Sequence, residues 1–209
     1  MYLFFDTETT GVPRDYKAPM TDLENWPRVI QLAWQLADDT GEVVQERKFL
    51  VKPDGWEVPS VEFFKKQGFN ESQALQKAEF WIKHGYTTEQ NEKEGEEMDE
   101  LLDIFISDYE QSKMMVAHNM GYDYPVLGSE MIRYGKNTER KITRFCTMLA
   151  TVDYCQLPGR YGFKWPKLEE LHRQVFGETF DGAHDALNDV TACRKCFFEL
   201  KNRGVIVLP

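Results

Sequence analysis

Apolar residues open the chain and give way abruptly to polar ones. In MYLFFDTETTG, Tyr2, Leu3, Phe4 and Phe5 read as a short strand of the kind buried inside a sheet. From Arg28 to Asp38 polar and apolar positions alternate, with Ile30, Leu32, Trp34 and Leu36 on one face. Asp39, Thr40 and Gly41 are a turn signal, and Val43 to Val51 reads as the returning strand of a hairpin. After an irregular stretch around Pro53, Gly55 and Pro59, Asn70 offers the cap of a helix that ends near Gly85. The highly charged region Glu89 to Glu100 reads as a loop leading into a helix, Met98 to Tyr109, with an apolar stripe of Leu101, Leu102, Phe105 and Ile106. Residues 114–118, MMVAH, are a short buried-strand candidate. Further helices are predicted over Pro125 to Tyr134 and Leu168 to Phe176, and a long one from about Ala186 to Lys201, stopped by Gly204 before a final VIVL strand. Three early strands followed by alternating helices and short strands predict an α/β fold, a mixed sheet with helices on both faces, as a single domain over residues 1–209.

The 209 residues suffice for one full-sized core, and 42% hydrophobic and 13% aromatic content fits a packed globule. No apolar run suits a membrane span and the start lacks the pattern of a signal peptide, so a soluble, cytoplasmic protein with no membrane partner is expected. Four cysteines are too few for a disulfide scaffold of this size. Cys193 and Cys196 form a C-x-x-C, but they lie in a helical pattern at core-like spacing with no second such pair, so they are read as core rather than as zinc ligands. A net charge of −10 argues against a broad electrostatic grip on nucleic acid while leaving room for a narrow one. Lys136, Arg140, Lys141 and Arg144 make a short basic stretch, either a solvated loop or a guide for phosphates.

Three segments carry candidate chemistry. In an extended strand Asp6 and Glu8 point to the same side, no Lys or Arg is near in sequence, and desolvating carboxylates costs several kcal/mol per ion unless something offsets it. A hard divalent cation suits such oxygens, and a solvated strand end before a Thr-Thr-Gly turn is the alternative. In AHNMGYDYPVL, residues 117–127, Asp123 falls at a strand-to-helix junction, where it and Asn119 either cap the helix or serve a site. In GAHDALNDVTA, residues 182–192, Asp185 reads as an N-cap, whereas Asp189 lies one turn further in, where capping cannot be its purpose. His184 stands just before that helix, able to swing over a site.

Together these segments resemble the DEDDh family of 3′→5′ exonucleases, whose members include the proofreading subunit of bacterial DNA polymerase III and ribonuclease T. FFDTETTG matches the first family motif, H-N-x-x-Y-D-x-x-x-L the second and H-x-A-x-x-D the third. KAEFWIKHGYTTE, 77–89, and KLEELHRQVFG, 167–177, look like the helices the family places between them. The stretch Trp56 to Gln76 is longer than in compact members. The resemblance implies a ribonuclease H-like mixed sheet flanked by helices on both faces. It implies metal binding by Asp6, Glu8, Asp123 and Asp189, with His184 as general base and two divalent ions, Mg²⁺ with Mn²⁺ as substitute, held roughly 3.5–4 Å apart. The backbone of Thr9, Thr10 and Gly11 would approach the terminal nucleotide, His84 would pack by its sugar or else interact with its own helix dipole, and Asn119 and Tyr122 would border the same pocket. Tyr122 stands where phenylalanine is common, and Cys146, in FCTML, where many members have aspartate.

The implied function is removal of nucleotides from the 3′ end of single-stranded DNA as 5′-mononucleotides. Alternatives are an exoribonuclease that trims RNA 3′ ends, or a non-catalytic subunit that binds nucleic acid or a polymerase. The partners expected are nucleic-acid 3′ ends and, as a further candidate, a DNA polymerase. No clamp-binding peptide is visible, which favours a stand-alone nuclease, and oligomeric state is open.

Overall fold

The computed structural model describes residues 1–137 and 142–208, so Arg140 and Lys141 of the basic stretch lie outside the described residues. Of its other members, Lys136 pairs with Asp99 and Asp103, and Arg144 lies over the Tyr124 ring at 4.2 Å from its centroid.

Five strands form the main sheet: β1 (Tyr2–Thr9), β2 (Val29–Ala37), β3 (Val43–Leu50), β4 (Met114–Ala117) and β5 (Thr143–Cys146), in the order β3-β2-β1-β4-β5. β1 pairs antiparallel with β2 and parallel with β4, and β4 continues parallel into β5. The helices are α1 (Val61–Lys66), α2 (Glu71–His84), α3 (Thr88–Glu94), α4 (Met98–Glu110), α5 (Met120–Arg133), α6 (Thr147–Ala150), α7 (Val152–Cys155), α8 (Leu168–Phe176) and α9 (Ala186–Asn202). A small hairpin, β6 (Pro158–Gly159) and β7 (Gly162–Phe163), precedes α8.

Alternation along β1 sorts its side chains between two cores. Leu3 and Phe5 pack with Trp34, Leu101, Phe105 and Leu127 under α4 and α5, while Tyr2 and Phe4 pack with Phe197, Phe198 and Val190 of α9. β2 is buried at every position, because α9 covers the face that alternation marks as polar. Gln35 survives there by bonding Arg194, Thr191 and Glu46. Cys193 and Cys196 belong to this second core, as their helical spacing predicts. No helix among the described residues is long and apolar enough to cross a membrane.

Three expectations change. The charged region read as a loop contains α3, capped by Thr87, whose one buried residue, Asn91, donates from Nδ2 to the carbonyls of Ile30 and Val51 at 2.8 Å each. A helix that docks through a single amide carries no apolar stripe to reveal it. α5 starts at Met120, five residues before Pro125, with Asn119 left-handed at φ 77° and making no side-chain cap. The closing VIVL is not a strand: the Val205 and Ile206 amides both bond the Leu200 carbonyl and finish α9, which turns Ile206 into the core. α1 lies within the long stretch 56–76 and packs on α2, with Phe64 and Trp81 ring centroids 6.3 Å apart.

Candidate active site

The acids converge at the C-terminal end of β1. β4 pairs with β1 only as far as Phe4, so the Thr7 amide is left without a strand partner on that side. Asp123, in the first turn of α5, fills the place: its Oδ1 accepts from Thr7 N at 3.1 Å and from Thr7 Oγ1 at 2.7 Å. Asp6 and Glu8 flank that threonine and take the α9 side, where Asp189 stands. Three elements far apart in sequence thus bring Asp6, Glu8, Asp123 and Asp189 into one charged cluster.

Among the described residues no Lys or Arg is paired with any of the four. Burial pushes Asp6 well above the ordinary carboxylate range, and Asp123, Asp189 and Glu8 add to the rise. Glu8 is pushed up to about 9, by burial first and then by Asp189 and Asp123. Asp123 and Asp189 rise to about 7 by burial, held back by bonds from Thr7 and from the His184 amide. The chemistry of this donor set, Glu8 and Asp123 buried and Asp6 and Asp189 half-buried, anionic, oxygen-rich and unpaired, fits a hard divalent cation. Ligand atoms of Glu8, Asp189 and His184 all lie within 4.8 Å of one another.

His184 sits on the rim, exposed, in a left-handed backbone conformation at φ 69°. Its amide donates to Asp189 Oδ2 at 3.1 Å and its carbonyl accepts from Tyr86 Oη at 2.8 Å. Gln31 braces the same loop, accepting from the Ala186 amide at 2.8 Å. Gly182 turns the chain at φ 72°, where a Cβ would stand 2.3 Å from Asn188 Nδ2. Asp185 is the N-cap of α9, as expected, and pairs with Lys48. Partial desolvation lowers the His184 pKa; the charge of Glu169 opposes the fall and those of Lys83 and Lys167 add to it.

Beside the acids lies a cleft of about 430 Å³ bordered by Glu8, Thr9, Gly11, Asn119 and Tyr122 on one side and by Lys77, Phe80 and Trp81 of α2 on the other. Trp81 Nε1 donates to the Thr9 carbonyl at 3.0 Å and Tyr122 Oη to the Gly11 carbonyl at 2.8 Å, which fixes the backbone wall. Thr10, like His84, does not border the cleft. It faces the start of β2, exchanging bonds with Arg28 from its amide (2.9 Å) and to its Oγ1 (3.0 Å), because β1 bulges there. His84 stands off the cleft, its ring 4.8 Å from that of His184, with Phe80 against both. Cys146 ends β5, opposite Ala117, and is half-buried.

A sequence model of the exonuclease family (RNase_T) matches residues 76–197. The chain belongs to this exonuclease family. The matched segment holds Asp123, His184 and Asp189, while Asp6 and Glu8 lie upstream of it. No curated protein matches the chain. Among solved structures, Escherichia coli exonuclease I in complex with a dT13 oligonucleotide is similar at a TM-score of 0.68 and 20% identity, covering 97% of this chain and 41% of that one. The same enzyme with a dA16 oligonucleotide gives 0.66 and 19%, with 97% and 41% covered. A zinc-bound form of its complex with single-stranded DNA gives 0.66 and 19%, with 97% and 40%. The exonuclease described here therefore shares their fold, a mixed five-stranded, ribonuclease H-like sheet flanked by helices, and spans about two fifths of their length.

Sequence reading missed part of this exonuclease's site. Lys77, Phe80 and Trp81 recur at helical spacing along α2, so one face of that helix was available as a signal. Tyr86 and Gln31 gave none, since their role rests on bonds to a loop about 100 and 155 residues away.

Proposed function

We propose that this exonuclease is a metal-dependent enzyme that hydrolyses the last phosphodiester bond at the 3′ end of single-stranded DNA and releases 5′-mononucleotides. The observation that carries the reading is the convergence of four unpaired carboxylates, Glu8 and Asp123 buried and Asp6 and Asp189 half-buried, beside an open cleft and a rim histidine. Asp6, Glu8, Asp123 and Asp189 would hold two divalent ions, Mg²⁺ with Mn²⁺ as substitute. Such ions, when bound, lower the pKa of water and offset charge on the phosphate and the leaving 3′ oxygen.

The chain's own residues do the rest. Thr7 holds Asp123 by one oxygen and leaves Oδ2 for the site. His184, which stays neutral below the usual histidine pKa, accepts the proton of the attacking water. Trp81, Phe80 and Tyr122 give the terminal base an aromatic enclosure, and Gly11 leaves open space beside it, with nothing within 4 Å of where a Cβ would stand. Complexes of the similar exonuclease I with oligo-dT, oligo-dA and zinc support a single strand and a divalent cation as ligands.

Purified protein should shorten a 5′-labelled single strand in Mg²⁺ or Mn²⁺ and stop on addition of EDTA or as Asp6→Ala. Persistent activity of Asp6→Ala would sink the assignment. Rates on matched DNA and RNA strands, measured side by side, assign the sugar.

A further inference from the structure

The hairpin β6–β7 and its exit carry the sequence PGRYGFKWPK, residues 158–167. Tyr161 is 90% exposed, Trp165 64% and Phe163 50%, three aromatic rings within five residues. Soluble chains rarely leave so much ring surface in water without a use for it. The rings are interleaved with cations. Arg160 lies over the Tyr161 ring at 5.1 Å and has no carboxylate partner among the described residues, Lys164 pairs with Glu170, and Lys167 stands at the N-cap position of α8, its amide donating to Glu170 Oε2 at 2.8 Å. In a chain of net charge −10 this mixture is unusual.

The hairpin is also anchored. Pro158 pairs with Phe163 and Gly159 with Gly162, and the Lys164 amide donates to the Leu157 carbonyl at 2.9 Å. A Cβ at Gly159 would stand 2.9 Å from the Gly162 carbonyl oxygen, so the two strands meet closely only because that residue is glycine. The Pro166 carbonyl is held at 2.9 Å by Nε2 of half-buried His118, the neighbour of Asn119 on the cleft wall. At the other side, the charges of Lys167 and Glu169 reach His184. A fixed support therefore presents the rings beside the catalytic cleft rather than within it.

We infer that this hairpin is a second binding element for single-stranded DNA, with Tyr161 and Trp165 stacking on bases upstream of the 3′ end and Arg160 meeting the backbone phosphate. Stacking on aromatic faces tolerates any base, and one cation per few nucleotides supplies a narrow grip that a −10 chain can sustain. The inference rests on the proposed DNA substrate and adds to it a site outside the terminal-nucleotide cleft.

The test is fluorescence anisotropy of fluorescein-labelled dT20 and dT4 with the full chain in EDTA, where nothing is cleaved. Tyr161→Ala/Trp165→Ala should weaken dT20 binding roughly tenfold or more and dT4 binding far less. Tyr161→Phe/Trp165→Phe should restore it, and Arg160→Ala should reduce the slope of log affinity against log salt by about 1. Equal affinity of the alanine variant and wild type for dT20, or an equal loss on both lengths, would overturn the hairpin's role. The two readings fail separately: a wild type that binds dT20 but never cleaves it with metal refutes the nuclease alone, and one that cleaves but binds independently of the hairpin refutes the hairpin alone.

Discussion

Thr7 binds Asp123 Oδ1 twice, by its amide and by its hydroxyl, and so ties the strand that carries Asp6 and Glu8 to a helix that begins more than a hundred residues later. One residue between two site acids thereby positions a third. Thr7→Val should keep the fold, remove one bond to a charged acceptor, and cost about 1.5–3 kcal/mol. Titration with Mn²⁺ followed by calorimetry should show weaker binding in that variant, and Thr7→Ser should recover most of it. Unchanged Mn²⁺ affinity in Thr7→Val would mean that Asp123 needs no such support.

Stability should depend on pH with a definite sign. Glu8, Asp123 and Asp189 hold protons in the folded chain up to about 9, 7 and 7, against ordinary values of 4.5 for Glu and 3.8 for Asp. Between those limits the folded state binds more protons than the unfolded one, so stability falls as pH rises. In EDTA, the melting temperature should drop between pH 5.5 and 8.5, by about 2–4 °C for each kcal/mol lost. Mg²⁺ should raise it more at pH 8.5 than at pH 5.5. A flat metal-free profile would contradict the burial of these acids.

Asp189→Asn and Asp6→Asn should be more stable than wild type in EDTA at pH 8, because each removes a half-buried charge that repels its neighbours. Both should lose the stabilisation by Mg²⁺ and, with it, turnover. Differential scanning fluorimetry with and without the ion separates the two effects. A variant that melts lower in EDTA would show that the acid is held by something other than metal.

His184→Ala should lower kcat by roughly 10²–10⁴ with little change in KM, and should remove the acidic limb of the pH–rate profile. In wild type that limb should lie below pH 6.5, the ordinary histidine value, since desolvation lowers this pKa. Tyr86→Phe loses one bond to the His184 carbonyl, worth about 1 kcal/mol, and should reduce kcat roughly fivefold. A rise in KM without loss of kcat would assign Tyr86 to the cleft instead.

Local rules made most of the fold readable. Alternation in β2, the capping box of Asn70 and Gln73, and Gly85 at φ 74° are each decided by a few neighbouring residues. The family followed from three motifs, and a sequence model covering 76–197 agrees with it. What escaped was settled at long range. α3 depends on one buried amide reaching two distant carbonyls, and Ile206 enters the core through the end of α9. Thr10 is of the same kind: its neighbours Thr9 and Gly11 face the cleft, but a bulge opposite β2 sends it elsewhere. The gathering of Asp6, Glu8, Asp123, His184 and Asp189 could be expected only through resemblance, since no periodicity links positions so far apart.

That dispersion has a consequence for how the chain comes into being. Acids from β1 at one end and α9 at the other meet only once α9 lies across the sheet, against β1 and β2. During synthesis the N-terminal strands form early, yet Asp6 and Glu8 then have neither Asp189 nor the His184 loop beside them. On the proposed roles of Asp189 and His184, a chain lacking the segment through Asn202 should leave a labelled single strand uncut. Given those proposed roles, the site is complete only once α9 has docked.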